Sequence, residues 1–294
     1  MINKMDSSDL YCNQRAVSVS GADITVGIPF HSGIKSVYFQ KAVDSILVQT
    51  VLPKKILLIQ DGSVGQELSA LSTYYQASDE RVMSLVIPQN MGLAYALNLS
   101  ILSSHTTYYA RMDADDIAVP NRLELQMNFA LQNPEIDVIG GFAEDIDVNG
   151  SGIRQRRVPT THQQILRLLW TNPFIHSTVM FRRQAILDVG LYSQNLRKRQ
   201  DYDLWFRCAN SRLQFANIPK TLIHYRFTPE TLRRNNWRVS AIHVRIGWRG
   251  CWLVRASPYT FILLTIPFFS SLLPLPLRQL VQRFLWMIDP RNKF

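Results

Sequence analysis

Cysteine is scarce in this chain, and the three present, Cys12, Cys208 and Cys251, lie far apart. They form neither a zinc-ligand spacing nor a disulfide framework, which points to a reducing compartment. The N-terminal residues are polar through Asp23 and hold no apolar signal core, so secretion is not expected. Internal repeats and low-complexity segments are absent. Acids are outnumbered, 22 against 32 lysines and arginines, for a formal net charge of +10. That balance suits nucleic acid, an anionic membrane surface or phosphorylated ligands. Charged residues are only 18% of the chain and hydrophobic ones 47% of 294, which excludes a disordered chain and allows one large domain or a domain with an appendage. Acids thin out further toward the C-terminus. From Arg226 to Arg255 there are seven arginines and one acid, Glu230, and residues 256–277 carry no charge.

The acids that are present concentrate in one place. Tyr108-Tyr109-Ala110-Arg111-Met112-Asp113-Ala114-Asp115-Asp116 begins as an apolar run and ends with three carboxylates in four residues. Like charges so close raise one another's pKa, so the cluster needs solvent or a cation. The apolar run reads as a strand and Pro120 suits the first turn of a helix. The carboxylates therefore sit in the loop at a strand's carboxyl end, where open α/β sheets bind ligands. Hard oxygens on a short loop suit Mg²⁺ or Mn²⁺. The plainer alternative is a solvated acidic turn, with Asp116 near a helix N-terminus.

Taken in order, residues 1–22 read as a loose extension. Ile24 to Pro29 is a first strand, rich in β-branched residues. Phe30 to Gly33 reads as a loop, and a helix carrying Val37, Ala42, Val43, Ile46 and Leu47 stops before Pro53. Lys55 to Gln60 is a second strand whose continuous apolar run suits a strand covered on both faces. A polar helix over 66–76, a strand over 82–87 and a helix with Leu93, Ala96, Leu97 and Ile101 lead to the strand before Asp113. Strands alternating with helices predict a doubly wound, mostly parallel α/β sheet. Beyond Pro120 the pattern predicts a helix with Leu123, Met127, Ala130 and Leu131, and a strand over 137–142. A hairpin turn at Asn149-Gly150 follows, then a helix over 162–170, a strand over 177–181, a helix opened by Asp201, and a strand over 221–227.

Several of these loops should meet at one end of the sheet, and their residues form a set. Val26-Gly27-Ile28-Pro29-Phe30, Asp61-Gly62-Ser63, Asn90-Met91-Gly92-Leu93, Arg111 to Asp116 and Gln200-Asp201-Tyr202-Asp203-Leu204-Trp205 together resemble the family 2 glycosyltransferases of GT-A fold. Asn172 to Arg182 resembles the acceptor-side loop of the bacterial surface-polysaccharide members. The resemblance spans about Ile24 to Phe227. It implies a GT-A domain over 23–227, a nucleotide-sugar donor, UDP-linked, and a divalent cofactor, Mn²⁺ or Mg²⁺. It also implies inverting transfer to a lipid-diphosphate-linked saccharide in O-antigen, capsule or exopolysaccharide assembly. By the same resemblance Pro29, Phe30, Asp61, Asn90, Gly92, Arg111 and Asp113 would bind the nucleotide-sugar. Asp115, with Asp113, would hold the metal, His176 and Gln200 would face the acceptor, and Asp201 would be the catalytic base. Gln200 stands where the family commonly has Glu, and Phe30 where polar or tyrosyl residues are common. Taken alone, Asp61-Gly62 reads as a turn, Asp201 as a helix N-cap, and Asp203 as a second candidate base that points elsewhere on a helix.

A composition shift at about Thr228 sets off residues 228–294 as a basic, then apolar, helical tail. Residues 256–277 approach the roughly 20 residues needed to span a bilayer, but contain four prolines. A kinked membrane-embedded or interfacial hairpin on anionic headgroups is favoured over a packed core element. This expectation puts the protein at the cytoplasmic face of a bacterial inner membrane, peripheral or shallowly embedded. A nucleotidyltransferase would want a glycine-rich basic loop after the first strand, which Phe30 to Ile34 is not. A nucleic-acid-binding protein would spread its arginines over the sheet domain, whereas here they gather beside the apolar tail, so no nucleic-acid partner is expected.

Overall fold

The computed structural model describes residues 22–227, 237–273 and 277. The expected N-terminal extension lies outside the described residues, except for Ala22, which already pairs in the first strand.

The first half of the fold follows the alternation in the sequence. It runs β1 (Ala22–Phe30), α1 (Ser36–Leu47), β2 (Pro53–Asp61), α2 (Gln66–Ser78), β3 (Val82–Ile87), α3 (Leu93–Ser103) and β4 (Tyr108–Arg111). All pairings here are parallel, in the order β3-β2-β1-β4. The apolar run Ile56 to Ile59 is buried, as a strand covered on both faces requires. Phe30 closes β1 rather than opening a loop.

The second half is mixed. It runs β5 (Ile117–Ala118), α4 (Arg122–Gln132), β6 (Val138–Ile146), β7 (Gly152–Arg156), α5 (His162–Arg167), β8 (Met180–Arg182), α6 (Arg183–Asp188), α7 (Gln200–Asn210) and β9 (Phe215–Arg226). The sheet continues from β4 through β8, β6, β9 and β5, with β7 on β6. β8 is antiparallel to β4 and β6, while β9 is parallel to β6. The hairpin at Asn149-Gly150 forms, with Gly150 at φ 95°. The strand expected over 177–181 is instead a 3₁₀ turn at His176–Thr178 followed by β8, and β9 starts earlier than expected because Phe215 to Ile218 pair with β6. The helix expected over 162–170 stops at Arg167, after a capping box from Thr161 to Gln164.

Apolar side chains of α1, α2 and α4 fill one face of the sheet, and those of α3, α6 and α7 fill the other. Two further helices, α8 (Trp237–Leu253) and α9 (Pro258–Ser271), join the second layer. α8 lies close across α7: a Cβ at Gly250 would collide with the Phe206 ring, and one at Gly247 would come within 2.8 Å of the Tyr202 hydroxyl. The composition shift near 228 is therefore no break in packing, since Ile246, Cys251 and Leu264 are buried with Trp205. α9 continues through Pro267. Among the described residues no helix is long and apolar enough to cross a membrane.

Candidate active site

The loop after β4 carries the carboxylate cluster. Asp113, Asp115 and Asp116 bring oxygens within 4.8 Å of one another, with Asp113 and Asp115 half-buried and Asp116 sealed. The fold sets three buried arginines close to this loop. Arg111 grips both oxygens of Asp113. Arg226, at the end of β9, donates its backbone N–H to Asp116 Oδ1 at 2.9 Å and its Nε to the Asp115 carbonyl at 3.0 Å. Its guanidinium lies 4.0 Å above the Tyr38 ring centroid. Arg122, fully buried behind the strand, donates to the Arg111 carbonyl at 2.8 Å and to Gln126, whose amide reaches the Thr178 carbonyl at 2.8 Å. Burial and the charge of Arg111 push Arg122 down to about 9. Asp116 is pushed well above the usual carboxylate range by burial and by Asp113 and Asp115.

Arg111, expected to bind the donor, has its buried guanidinium on Asp113 and holds that carboxylate in place. Arg226, inside the expected 23–227 domain but given no role, lies beside the carboxylate loop. Nothing local in the sequence marks it, because only the β9 pairing brings it beside a loop 110 residues earlier.

The residues expected to bind the nucleotide-sugar lie at strand ends and the loops after them. Asp61, last in β2, accepts from Met91 N at 2.7 Å and Gly92 N at 2.8 Å, one bond to each carboxylate oxygen. It therefore fixes the Asn90–Gly92 loop, and each oxygen keeps capacity for a second hydrogen bond. Asn90 returns a bond to the Asp61 carbonyl. Gly62 at φ 86° lets Asn90 approach within 2.8 Å of where a Cβ would stand. Gly92 at φ 89° leads into α3 and lies beneath Arg197, which also reaches Asn90. Pro29 is buried in β1. Phe30 does not offer its ring to a base: it is buried against Phe39, ring centroids 4.5 Å apart.

The residues expected to face the acceptor gather at the start of α7. Asp201 Oδ2 accepts from Asn172 Nδ2 at 2.8 Å, and Asn172 takes left-handed backbone, φ 58°, to reach it. Burial alone would lift the Asp201 carboxyl, but His176, Asn172 and Arg199 hold it below its ordinary value. His176 hydrogen-bonds the Tyr192 hydroxyl at 2.9 Å, and the charges of Arg111, Asp201 and Asp113 all act on it. The fold thus brings the Asp201 side and the carboxylate loop around one imidazole, which burial and Arg111 push down to about 4. Gln200 is buried and presents little surface to an acceptor. Asp203 pairs with Arg207 at 2.9 Å, away from this cluster. Sequence reasoning gave no role to Asn172, Tyr192 or Arg197, although Asn172 opens the loop that carries the resemblance.

The donor set, carboxylate oxygens on a preorganised loop, fits a hard divalent cation. Comparison with known proteins agrees with this geometry. A family model described as "Glycosyl transferase family 2" matches residues 25–190. An uncharacterized glycosyltransferase of Haemophilus influenzae is 32% identical over 84% of this chain and 93% of its own. The O-antigen biosynthesis glycosyltransferase WbnJ of Escherichia coli is 30% identical over 67% of this chain and 78% of its own. A further Escherichia coli relative, UDP-Gal:alpha-D-GlcNAc-diphosphoundecaprenol beta-1,3-galactosyltransferase, is 28% identical over 67% of this chain and 71% of its own. Among solved structures, S. aureus TarS 1-349 in complex with UDP-GlcNAc superposes with a TM-score of 0.63 at 15% identity, covering 86% of this chain and 76% of that one. At that identity the likeness is one of fold, and the fold is GT-A.

Proposed function

This chain belongs to glycosyl transferase family 2, and on that premise we propose an inverting, metal-dependent transferase. It moves a sugar from a UDP-sugar to a hydroxyl of a lipid-diphosphate-linked saccharide in O-antigen, capsule or exopolysaccharide assembly. The work is done at the cytoplasmic face of a bacterial inner membrane. The family membership weighs against the nucleotidyltransferase reading. The observation that carries the proposal is Asp201, held by Asn172 at the head of α7 across His176 from the carboxylate loop.

In this reading Asp201 takes the proton of the acceptor hydroxyl as that oxygen attacks the sugar from the face opposite the leaving diphosphate. A carboxylate held below its ordinary pKa is ionised at neutral pH and ready to accept. Neutral His176, fixed by Tyr192, adds a polar contact to the acceptor side without a competing charge. Asp115 and Asp113 would hold Mn²⁺ or Mg²⁺, which supplies positive charge where the leaving diphosphate gains negative charge. Arg111 and Arg226 keep the loop in shape. Asp61, Asn90 and Gly92 form the wall for the base and ribose, with backbone close enough to shape it. The relative acting on a diphosphoundecaprenol-linked sugar supports the acceptor class. The test is a donor panel of UDP-sugars assayed against a lipid-diphosphate monosaccharide. Transfer from one donor with inverted anomeric configuration is expected, and retention of configuration would overturn the mechanism.

A further inference from the structure

We propose that α8 and α9 form a docking face for an anionic bilayer surface, lying in the plane of the interface and holding α7 with Asp201 at the lipid boundary. The inference deepens the reading above, from which it takes only that the acceptor is lipid-linked.

α9 is apolar on two sides. Leu264 is buried with α7, yet Tyr259, Ile262 and Phe269 are 60%, 69% and 61% exposed while Thr260 and Ser270 are 4% and 5% exposed. A helix facing water keeps its large apolar side chains on the core side and polar ones outside. Positions 259, 262 and 269 fall on one helical stripe, so the exposure is a face and not scatter. α8 extends it. Trp248 and the 80% exposed Trp252 stand one turn apart, among the exposed Arg245 and Arg249. Trp248 joins the two helices: its Nε1 donates to the Phe261 carbonyl at 3.1 Å, and the rings meet edge-on at 6.2 Å.

The charge and chemistry of the face choose the occupant. No acid stands between Glu230 and Asp289, so the two helices carry arginines and no acid of their own. Exposed tryptophan with arginine beside an apolar stripe suits the headgroup boundary, where the ring sits in the interface and the cation meets phosphate. A second copy of this chain would bring the same arginines against themselves, which disfavours that occupant. No described helix is long enough to cross, so the contact is shallow.

The docking bears on catalysis through packing. Arg249, Trp252 and Leu253 wall a groove of about 230 Å³ whose other side is Asp203, Phe206 and Arg207 of α7. With Gly247 and Gly250 letting α8 approach Tyr202 and Phe206, the interface-bound helix and the helix that begins with Gln200-Asp201 move as one. A lipid-linked acceptor would then meet the base at a fixed height above the headgroups.

The test is co-sedimentation of the full chain with phosphatidylcholine vesicles, with and without one third phosphatidylglycerol, at low and high salt. Binding to the anionic vesicles that weakens with salt is expected. Arg245→Gln and Arg249→Gln should each lower the partition coefficient about fivefold. The triple change Trp252→Ser, Ile262→Ser, Phe269→Ser should abolish binding with the melting temperature unchanged. Equal binding to neutral and anionic vesicles, or binding that survives these changes, overturns the proposal. So does a triple variant that melts early yet still binds, which would make the face part of the chain's own core, or one that merely dissociates a dimer. Transfer to a soluble alkyl-diphosphate saccharide, measured without vesicles, keeps the two readings apart: its absence sinks the enzymatic proposal and leaves docking standing.

Discussion

Asparagine at position 201 removes a proton acceptor and little else. The side chain keeps its size, and the Asn172 amide, 2.8 Å away, can donate to the new amide oxygen as it did to the carboxylate. A positioned carboxylate base contributes roughly 10²- to 10⁴-fold, or about 2.7–5.4 kcal/mol of barrier at 1.36 kcal/mol per decade. Turnover should fall by that factor, while the donor KM stays within about twofold, because the base acts on the acceptor and not on the nucleotide. Asp203→Asn is the control. It removes the ion pair between Asp203 and Arg207, four residues apart on α7, a loss of about 0.3–0.5 kcal/mol. Arg207 keeps its bonds to the Val189 and Leu191 carbonyls at 2.8 and 2.6 Å, so the fold and the rate should both survive. Initial rates with radiolabelled nucleotide-sugar, beside a thermal melt of each variant, separate the two. A dead Asp203→Asn enzyme and an active Asp201→Asn enzyme would refute the assignment.

Three further outcomes are expected. Asp115→Asn should cut turnover by orders of magnitude and abolish the metal-dependent part of UDP binding in calorimetry; full activity in excess chelator would rule out metal dependence. Arg226→Met should cost about 1–3 kcal/mol in urea unfolding, because the Asp115 and Asp147 carbonyls lose their buried donor; a loss below about 0.5 kcal/mol would mean that the arginine is not structural. His176 has its folded pKa, about 4, below its ordinary 6.5, so the unfolded chain binds the extra proton and stability falls as pH drops from 6.5 toward 4. His176→Asn should therefore flatten the fall of the urea midpoint in that window, and an unchanged fall would show that this histidine does not contribute to it.

The sequence by itself determined the first half of the fold and the chemical kind of the site. β-branched runs alternating with helical stripes are local signals, and a right-handed parallel crossover leaves them few ways to assemble. The buried run Ile56 to Ile59 and the parallel pairing of β1 to β4 follow from that, and the acidic loop lands at a strand end as a consequence. The second half was read less well for the same reason inverted. β8 has three residues and β5 two, and such strands exist because neighbours pair with them, not because of their own propensity.

What only the tertiary structure decided is which groups hold the reactive ones. Phe30 turned inward because Phe39 was there to receive it. Arg111 was spent on Asp113, and Arg226 was brought beside Asp116 by the pairing of β9 with β5. Buried charges must find partners, and those partners come from wherever the chain passes close by. Spacing along the sequence carries no record of such meetings. It names the carboxylates, while the packing of distant strands decides what surrounds them.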